Sequence, residues 1–154
     1  YKTQLVEKQR LKFTYNISEK QLKQAYRAAA HAQGATGEAM LQHLERRLDA
    51  AVLRMGFAKT PYASRQYVAH GHFEVNGVRS FNGSMLLKVG DVVTVREKSK
   101  SHPQIKESLE NLPAGVEYQE IDAKAQSGKI TAVPSREQIP LNLNEALVVE
   151  YYSR

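Results

Sequence analysis

An α+β fold, with a helical part and short helices packed on a small antiparallel sheet, is predicted by three observations. The first 55 residues carry apolar side chains at three- and four-residue spacing behind a capping box at Ser18, the pattern of amphipathic helices. Residues 72 to 80 alternate in character around Asn76-Gly77, the dipeptide that best fits a type I′ hairpin turn. Residues 86 to 96 repeat that alternation on either side of Gly90-Asp91. A chain of 154 residues can bury one good core, or two small ones sharing an interface.

The opening, Tyr1 to Tyr15, interleaves Tyr1, Phe13 and Tyr15 with Lys2, Lys8, Arg10 and Lys12, and only Glu7 opposes them. That pattern fits either a solvated helix face with aromatic rings tucked into the core or a set of cations that meet phosphate. Ser18-Glu19-Lys20-Gln21 is a capping box, with Ile17 able to staple onto Leu22, so a helix starts there. Leu22, Ala25, Tyr26 and Ala29 form its buried stripe and leave Lys20, Lys23 and Arg27 outside. The turn from Gly34 to Gly37 lacks the G-K-[ST] of a phosphate-cradling loop. From Thr36 the pattern predicts one long helix to about Met55, striped by Leu41, Leu44, Leu48, Val52 and Met55 and stopped by Gly56. On such a helix Arg47 and Arg54 lie nearly on one face with Arg46 beside them, either paired with Glu45 or Asp49 or turned outward.

Thr60 caps a further helix that begins at Pro61, where a missing N–H costs nothing, and Gly71 closes it. The hairpin follows. Leu86 to Val89 and Val92 to Arg96 read as a second strand pair, after which Lys98 and Lys100 leave the sheet. Pro103 to Leu112 predicts a short helix on Ile105, Leu109 and Leu112 that covers the sheet. Val116 to Ile121 and Lys129 to Val133 read as strands around a turn at Ser127-Gly128, with an irregular stretch from Pro134 to Pro140. Asn144 caps a last segment, Glu145 to Tyr152, too short to be a stable helix alone. Its Leu147, Val148, Tyr151 and Tyr152 must therefore dock, and the stripe of Leu22, Tyr26 and Leu41 is the obvious surface.

Composition narrows the function. The net charge of +6 and a pI near 9.5 suit a polyanionic partner. Residues 1 to 100 hold 17 Lys or Arg against 8 Asp or Glu, giving +9, whereas residues 101 to 154 hold 5 against 8, giving −3. The absence of Cys excludes disulfides, thiol catalysis and Cys-based zinc sites, and fits a reducing compartment. No apolar run approaches the roughly 18 residues of a membrane span and no signal-peptide pattern opens the chain, so a soluble, cytosolic protein without membrane contact is expected. No acid, base or nucleophile converges with another: Glu45 and Asp49 are ringed by arginines, and His31, His43, His70, His72 and His102 lack metal-ligand spacing. Neither catalysis nor a cofactor is expected.

Arg47-Leu48-Asp49, the S-R-Q-Y-V run around Arg65, His70-Gly71-His72, Val75-Asn76-Gly77 and Val89-Gly90-Asp91 resemble the RNA-binding module of the family of small-subunit ribosomal protein S four. E-K-Q-R-L-K-F-x-Y near the start, T-G-E-A-M-L-Q-x-L-E-R-R-L-D in the middle and N-E-A-L-V-V-E-Y-Y-S-R at the end extend the resemblance, to the bacterial or organellar type, over nearly the whole chain. The resemblance implies a structural RNA-binding protein of the small ribosomal subunit and not an enzyme. It implies a primary binder of a multi-helix junction in the 5′ domain of small-subunit ribosomal RNA, nucleating assembly. Ribosomal protein S five is then a neighbour, near the path by which the messenger enters, on a cytoplasmic or organellar ribosome. Relatives in some bacteria also bind and repress their own messenger RNA. Two domains are implied: a helical one from residues 1–46 plus 144–154, and an inserted α+β one from 47–143 that contains the module at about 47–110. In relatives a basic extension precedes the matching region, so the chain reads as a trimmed form.

The expected RNA-contacting residues are Lys8, Arg10 and Lys12 in the opening, and Arg46, Arg47 and Arg54 on the long helix. Lys59, Tyr62, Arg65 and Gln66 follow around the Pro61 helix, His70 and His72 flank its glycine, Asn76 sits at the hairpin tip, and Lys98 and Lys100 lie past the strands. Duplex and junction RNA present phosphates, ribose hydroxyls and shape, which rigidly spaced cations suit. His72 reads equally well as a packed side chain. The chain departs from the family at Pro61-Tyr62, where relatives carry arginines, and at Gly83-Ser84, where Pro-Ser is common. Tyr62 either stacks on a base or ribose or is buried. Two other carriers of the module compete, an RNA-modifying enzyme and a stress protein that binds stalled large subunits. The first 45 residues and the N-E-A-L-V-V-E-Y-Y-S-R ending favour the ribosomal reading.

Overall fold

A computed structural model describes residues 1–111 and 115–153 and divides the chain into two compact units, Tyr1–Glu45 with Ser135–Arg154, and Arg46–Pro134. The described residues form α1 (Lys2–Tyr15), α2 (Glu19–Ala30), α3 (Thr36–Glu45), α4 (Leu48–Arg54), α5 (Pro61–Ala69), β1 (Phe73–Val75), β2 (Val78–Ser80), β3 (Val92–Val95), α6 (Pro103–Glu110), β4 (Gln119–Asp122), β5 (Ser127–Ile130) and α7 (Glu145–Tyr152). The fold is α+β, as the periodicities predict. Leu112 and Arg154 lie outside the described residues.

In the first unit, α1 ends where Asn16 turns left-handed (φ 51°), and Ser18 then starts α2. The Ser18 hydroxyl accepts from the Gln21 amide at 3.2 Å while the Gln21 side chain accepts from the Ser18 amide at 2.9 Å, so two otherwise orphaned donors are satisfied. Leu11, Leu22, Ala25, Met40, Leu41 and Leu44 are essentially inaccessible, and Val148 of α7 joins them. Tyr15 is buried and its hydroxyl donates to the carboxylate of Glu45 at 2.5 Å. Tyr1 and Phe13 stay exposed, so only one of the three opening aromatics enters the core. The last helix docks through its rings: Tyr152 stacks on Tyr26 at 5.2 Å, Tyr151 on Tyr1 at 5.9 Å, and the Tyr152 hydroxyl donates to Glu19 at 2.7 Å. Arg136, in the stretch read as irregular, ties the return to the helices. Its amide donates to Glu38 and its guanidinium to Glu145 and to the carbonyls of Leu141 and Leu143.

The second unit is built on a five-stranded antiparallel sheet of order β2-β1-β3-β5-β4. Val75 opposes Val78 across Asn76-Gly77, both of which have positive φ (51° and 83°), the geometry a type I′ turn requires. Phe73, Val75, Val93 and Val95 face one way and bury against Leu48, Val52, Met55 and Phe57 from α4 and its exit, Val68 of α5, and Ile105 of α6. Each such side chain, fully buried, stabilises by about 1.5–3 kcal/mol before entropy is counted.

The long helix expected from Thr36 to Met55 is broken. Arg47 is extended (φ −62°, ψ 141°), because the backbone there bonds to a loop instead of to the preceding turn. Leu87 N–H donates to Arg46 O at 2.7 Å, Leu48 N–H to Met85 O at 2.8 Å, and Asp49 N–H to Gly83 O at 3.1 Å. The same bonds account for a second difference: Leu86 to Val89 is no strand, only a single bridge from Leu86 to Arg47, and β3 pairs with β1 and β5. A third concerns the turn expected at Ser127-Gly128. Both residues lie in β5, and the reversal falls just before them, with Gln126 at φ 50°. Gly128 is buried against Met55, where a Cβ would collide with the thioether.

Candidate nucleic-acid interface

The face offered by α5 is set by the anchors beneath it. Thr60 Oγ1 accepts from the Ala63 amide at 3.0 Å, Pro61 occupies the first helical position, and the buried Ser64 hydroxyl donates to the Asp49 carbonyl. Val68 is fully buried. With Ser64 and Val68 turned inward, Tyr62, Arg65, Gln66 and His70 lie exposed on the opposite side, at the i, i+3, i+4 and i+8 spacing of one helical face.

Where α5 hands over to β1, an aromatic cluster forms. The His72 ring lies 4.9 Å from His102 and 6.3 Å from His70, and Tyr67 stands 5.4 Å from His102. His72 is half-buried with Nδ1 2.7 Å from the hydroxyl of Ser99. Burial holds its imidazole below the ordinary value, helped by the positive surroundings of His102, His70, Arg79 and Arg96. Of the two readings of His72, packing is the one these contacts fit. Ser99 sits between Lys98, which is exposed, and Lys100, whose ammonium pairs with Glu97 at 3.2 Å.

Several expected contacts are otherwise engaged. Arg47 is 5% exposed and grips Asp49 with two hydrogen bonds of 3.1 and 2.9 Å, so the pairing alternative holds and the outward one is corrected. Lys8 is likewise interior: its ammonium lies 2.8 Å from Glu19 and 4.6 Å from the Tyr151 ring centre. Asn76 is at the hairpin tip, yet its side chain donates to Asp91 at 3.0 Å and accepts from the Val92 amide at 2.9 Å, which fastens the turn to the start of β3. Lys59 is exposed and paired with Glu107 at 2.7 Å. Arg10 is exposed, bound to Glu7 at 2.5 Å and to the Asn142 carbonyl at 3.0 Å. Lys12 is half-buried, 4.0 Å from Glu19 and 5.9 Å from the Phe13 ring. Arg46 is exposed with Nε on the Leu87 carbonyl at 3.0 Å, and Arg54 is half-buried. With the helix broken at Arg47, the shared face expected of Arg47 and Arg54 does not form.

Three cations beside His72 escaped the sequence reading: Arg79, Arg96 and, when protonated, His102. Arg79 donates to the Gly71 carbonyl at 2.9 Å and lies 4.6 Å from the Phe81 ring, and the Arg96 amide donates to the His72 carbonyl at 2.8 Å. Hairpin register alone puts Arg79 opposite Glu74, which was the available signal. Among the described residues no group of three or more His, Cys, Asp or Glu is placed to hold a metal ion, and no helix is long and apolar enough to cross a membrane.

Comparison with known families places these features in context. Residues 46–93 match the family model of the S4 domain, and residues 1–45 match that of the ribosomal protein S4/S9 N-terminal domain. The chain is 47% identical to small ribosomal subunit protein uS4 of Streptomyces avermitilis, over all of this chain and 78% of that protein. The protein of the same name from Fusobacterium nucleatum is 46% identical over the same shares, and that of Christiangramia forsetii 47% identical over all of this chain and 77% of its own.

Proposed function

The chain belongs to the family of small ribosomal subunit protein uS4, and on that premise we propose that it binds small-subunit ribosomal RNA as a structural component of the small subunit, not as an enzyme. Within that role it holds a multi-helix junction of the 5′ domain early in assembly. The observation that carries the reading is the exposed face of α5, where Arg65, Gln66 and His70 stand on a helix anchored from below, with Lys98 exposed beyond β3. The match of residues 1–45 to a ribosomal N-terminal domain favours this reading over other carriers of the module. Ribosomal protein S five as a neighbour, and the chain's own messenger as a second RNA partner, are proposed from the family alone.

Binding of this kind is dominated by phosphates. Affinity for a transcript of the 5′ domain falls as salt rises, each phosphate contact adding up to about 0.7–0.9 to the log-log slope. Magnesium is held fixed so that the RNA keeps its fold. Arg65→Ala weakens binding and lowers the slope with the melting temperature unchanged, whereas Leu48→Ala costs roughly 2–5 kcal/mol of stability. A dissociation constant indifferent to salt, or equal loss of stability in both variants, overturns the proposal.

A further inference from the structure

Tyr62 is 69% exposed and, among the described Phe and Tyr residues, it is the one whose side chain has neither a ring partner, a cation over its face nor a hydrogen bond. The other exposed Phe and Tyr rings are each engaged: Tyr1 with Tyr151, Phe13 with Lys12, Phe81 with Arg79. A lone exposed apolar group is ordinary on any surface, but this one has a particular setting. It lies in the first turn of α5, whose position is pinned by the Thr60 cap, by Pro61 and by the Ser64 hydroxyl on the Asp49 carbonyl, so the ring is presented from a fixed backbone. Arg65 and Gln66, one turn on, share its face and are exposed beside it.

We infer that the Tyr62 ring is a stacking platform for an unpaired nucleobase of the bound RNA, an inference that rests on the RNA-binding reading above and deepens it. A phenol ring offers a phosphate nothing but its hydroxyl, whereas any base splayed from a junction presents a π-face that an aromatic side chain can cover. Arg65 and Gln66 then supply the polar half of the contact, reaching the phosphate or the edge of the same nucleotide. Stacking adds affinity that salt does not remove, in contrast to the cation contacts around it.

The experiment titrates the full chain and its variants with the 5′-domain transcript at several salt concentrations and fixed magnesium. Tyr62→Ala binds roughly 5- to 150-fold more weakly at every salt, with the slope unchanged, and Tyr62→Phe binds as the parent does. The chain contains no Trp, so Tyr62→Trp carries a single indole whose emission is quenched as RNA saturates it. Melting curves of all three variants match the parent, since most of the side chain is exposed. Parental affinity in Tyr62→Ala overturns the inference, as does unchanged indole emission at saturation. Equal weakening in Tyr62→Phe and Tyr62→Ala also overturns it, because the hydroxyl and not the ring is then the contact. If the parent chain itself does not bind the transcript, the RNA-binding reading fails and this inference with it.

Discussion

Arg47 and Asp49 face each other across a single residue and close a two-pronged ion pair inside the second unit, their side chains 6% and 5% exposed. Asp49 is also held by its backbone: its amide donates to Gly83 and its carbonyl accepts from Ser64. Arg47→Ala would leave a buried carboxylate without a partner, and the expected cost is about 3–5 kcal/mol. Arg47→Lys should recover only part, because a point charge cannot reproduce the fork. Urea unfolding measures both. Parental stability in Arg47→Ala would mean that Asp49 is solvated.

The first unit should respond to acid through Glu7. The Asn144 amide donates to this nearly buried carboxylate at 2.7 Å and holds its pKa below 4.5, against the opposing effect of burial and with help from Arg10. At Glu19, burial pushes upward but is outweighed by the hydrogen bonds from Lys8 and Tyr152, so that group also titrates below its ordinary value. Depressed folded-state values mean that the unfolded chain takes up protons first as pH falls. The stability these groups contribute is therefore present above about pH 4.5 and is lost as pH drops through their folded values. Lys8 has the opposite sign: burial lowers its pKa, but Glu19 more than offsets that, so its contribution fades only at strongly alkaline pH. In Glu7→Gln, denaturant unfolding followed between pH 3 and 7, as rough working limits, should show lower stability at neutrality and a shallower acid decline. An unaltered acid decline would assign the effect to other carboxylates.

Gly128 and Met55 should be energetically coupled. A Cβ on Gly128 meets the thioether of Met55, a side chain that is itself fully buried and must shift, so Gly128→Ala should cost about 1–3 kcal/mol. Trimming Met55 to Ala is destabilising alone but makes room, and the double variant should lose less than the sum of the two. A thermal-melt cycle decides it, and strict additivity would show that the sheet moves aside instead.

Removing residues 147 to 154 should loosen α1 and α2. The deletion takes away fully buried Val148 and the ring of Tyr152 stacked on Tyr26, and it strips Glu19 of the Tyr152 hydroxyl. Hydrogen exchange on the shortened chain should show amides of residues 2 to 30 losing protection, and protection equal to that of the full chain would mean that the tail contributes little to them.

What the sequence made legible was local chemistry. The Ser18 capping box, the Thr60-Pro61 start and the Asn76-Gly77 turn are each complete within four residues, so pattern alone suffices to find them. The break at Arg47 was hidden because its cause is distant: the partners of the Arg46 to Asp49 backbone are Gly83, Met85 and Leu87, and the leucine stripe runs through the break undisturbed. Ser127-Gly128 has the composition of a turn, yet Gly128 is required by the approach of Met55 and not by its own backbone. For the candidate site, residue type marked the cations but not their burial. Lys8 and Arg65 look alike in sequence, and only the fold buries the first and sets the second on an exposed face.

The hydrogen bond between Gln4 and Glu150 joins positions 146 apart, and that between Glu7 and Asn144 joins positions 137 apart. A unit assembled from residues 1–45 and 135–154 cannot be completed until translation has delivered α7. At a synthesis rate of 5–20 residues per second, about 5 to 22 s separate the emergence of α3 from that of α7. Throughout that interval the surface that Val148 will cover, and the open face of Tyr26, stand uncovered. The order of synthesis thus imposes an order of folding, in which residues 46–134 have all their strands in hand while the N-terminal helices are still waiting for a partner not yet made.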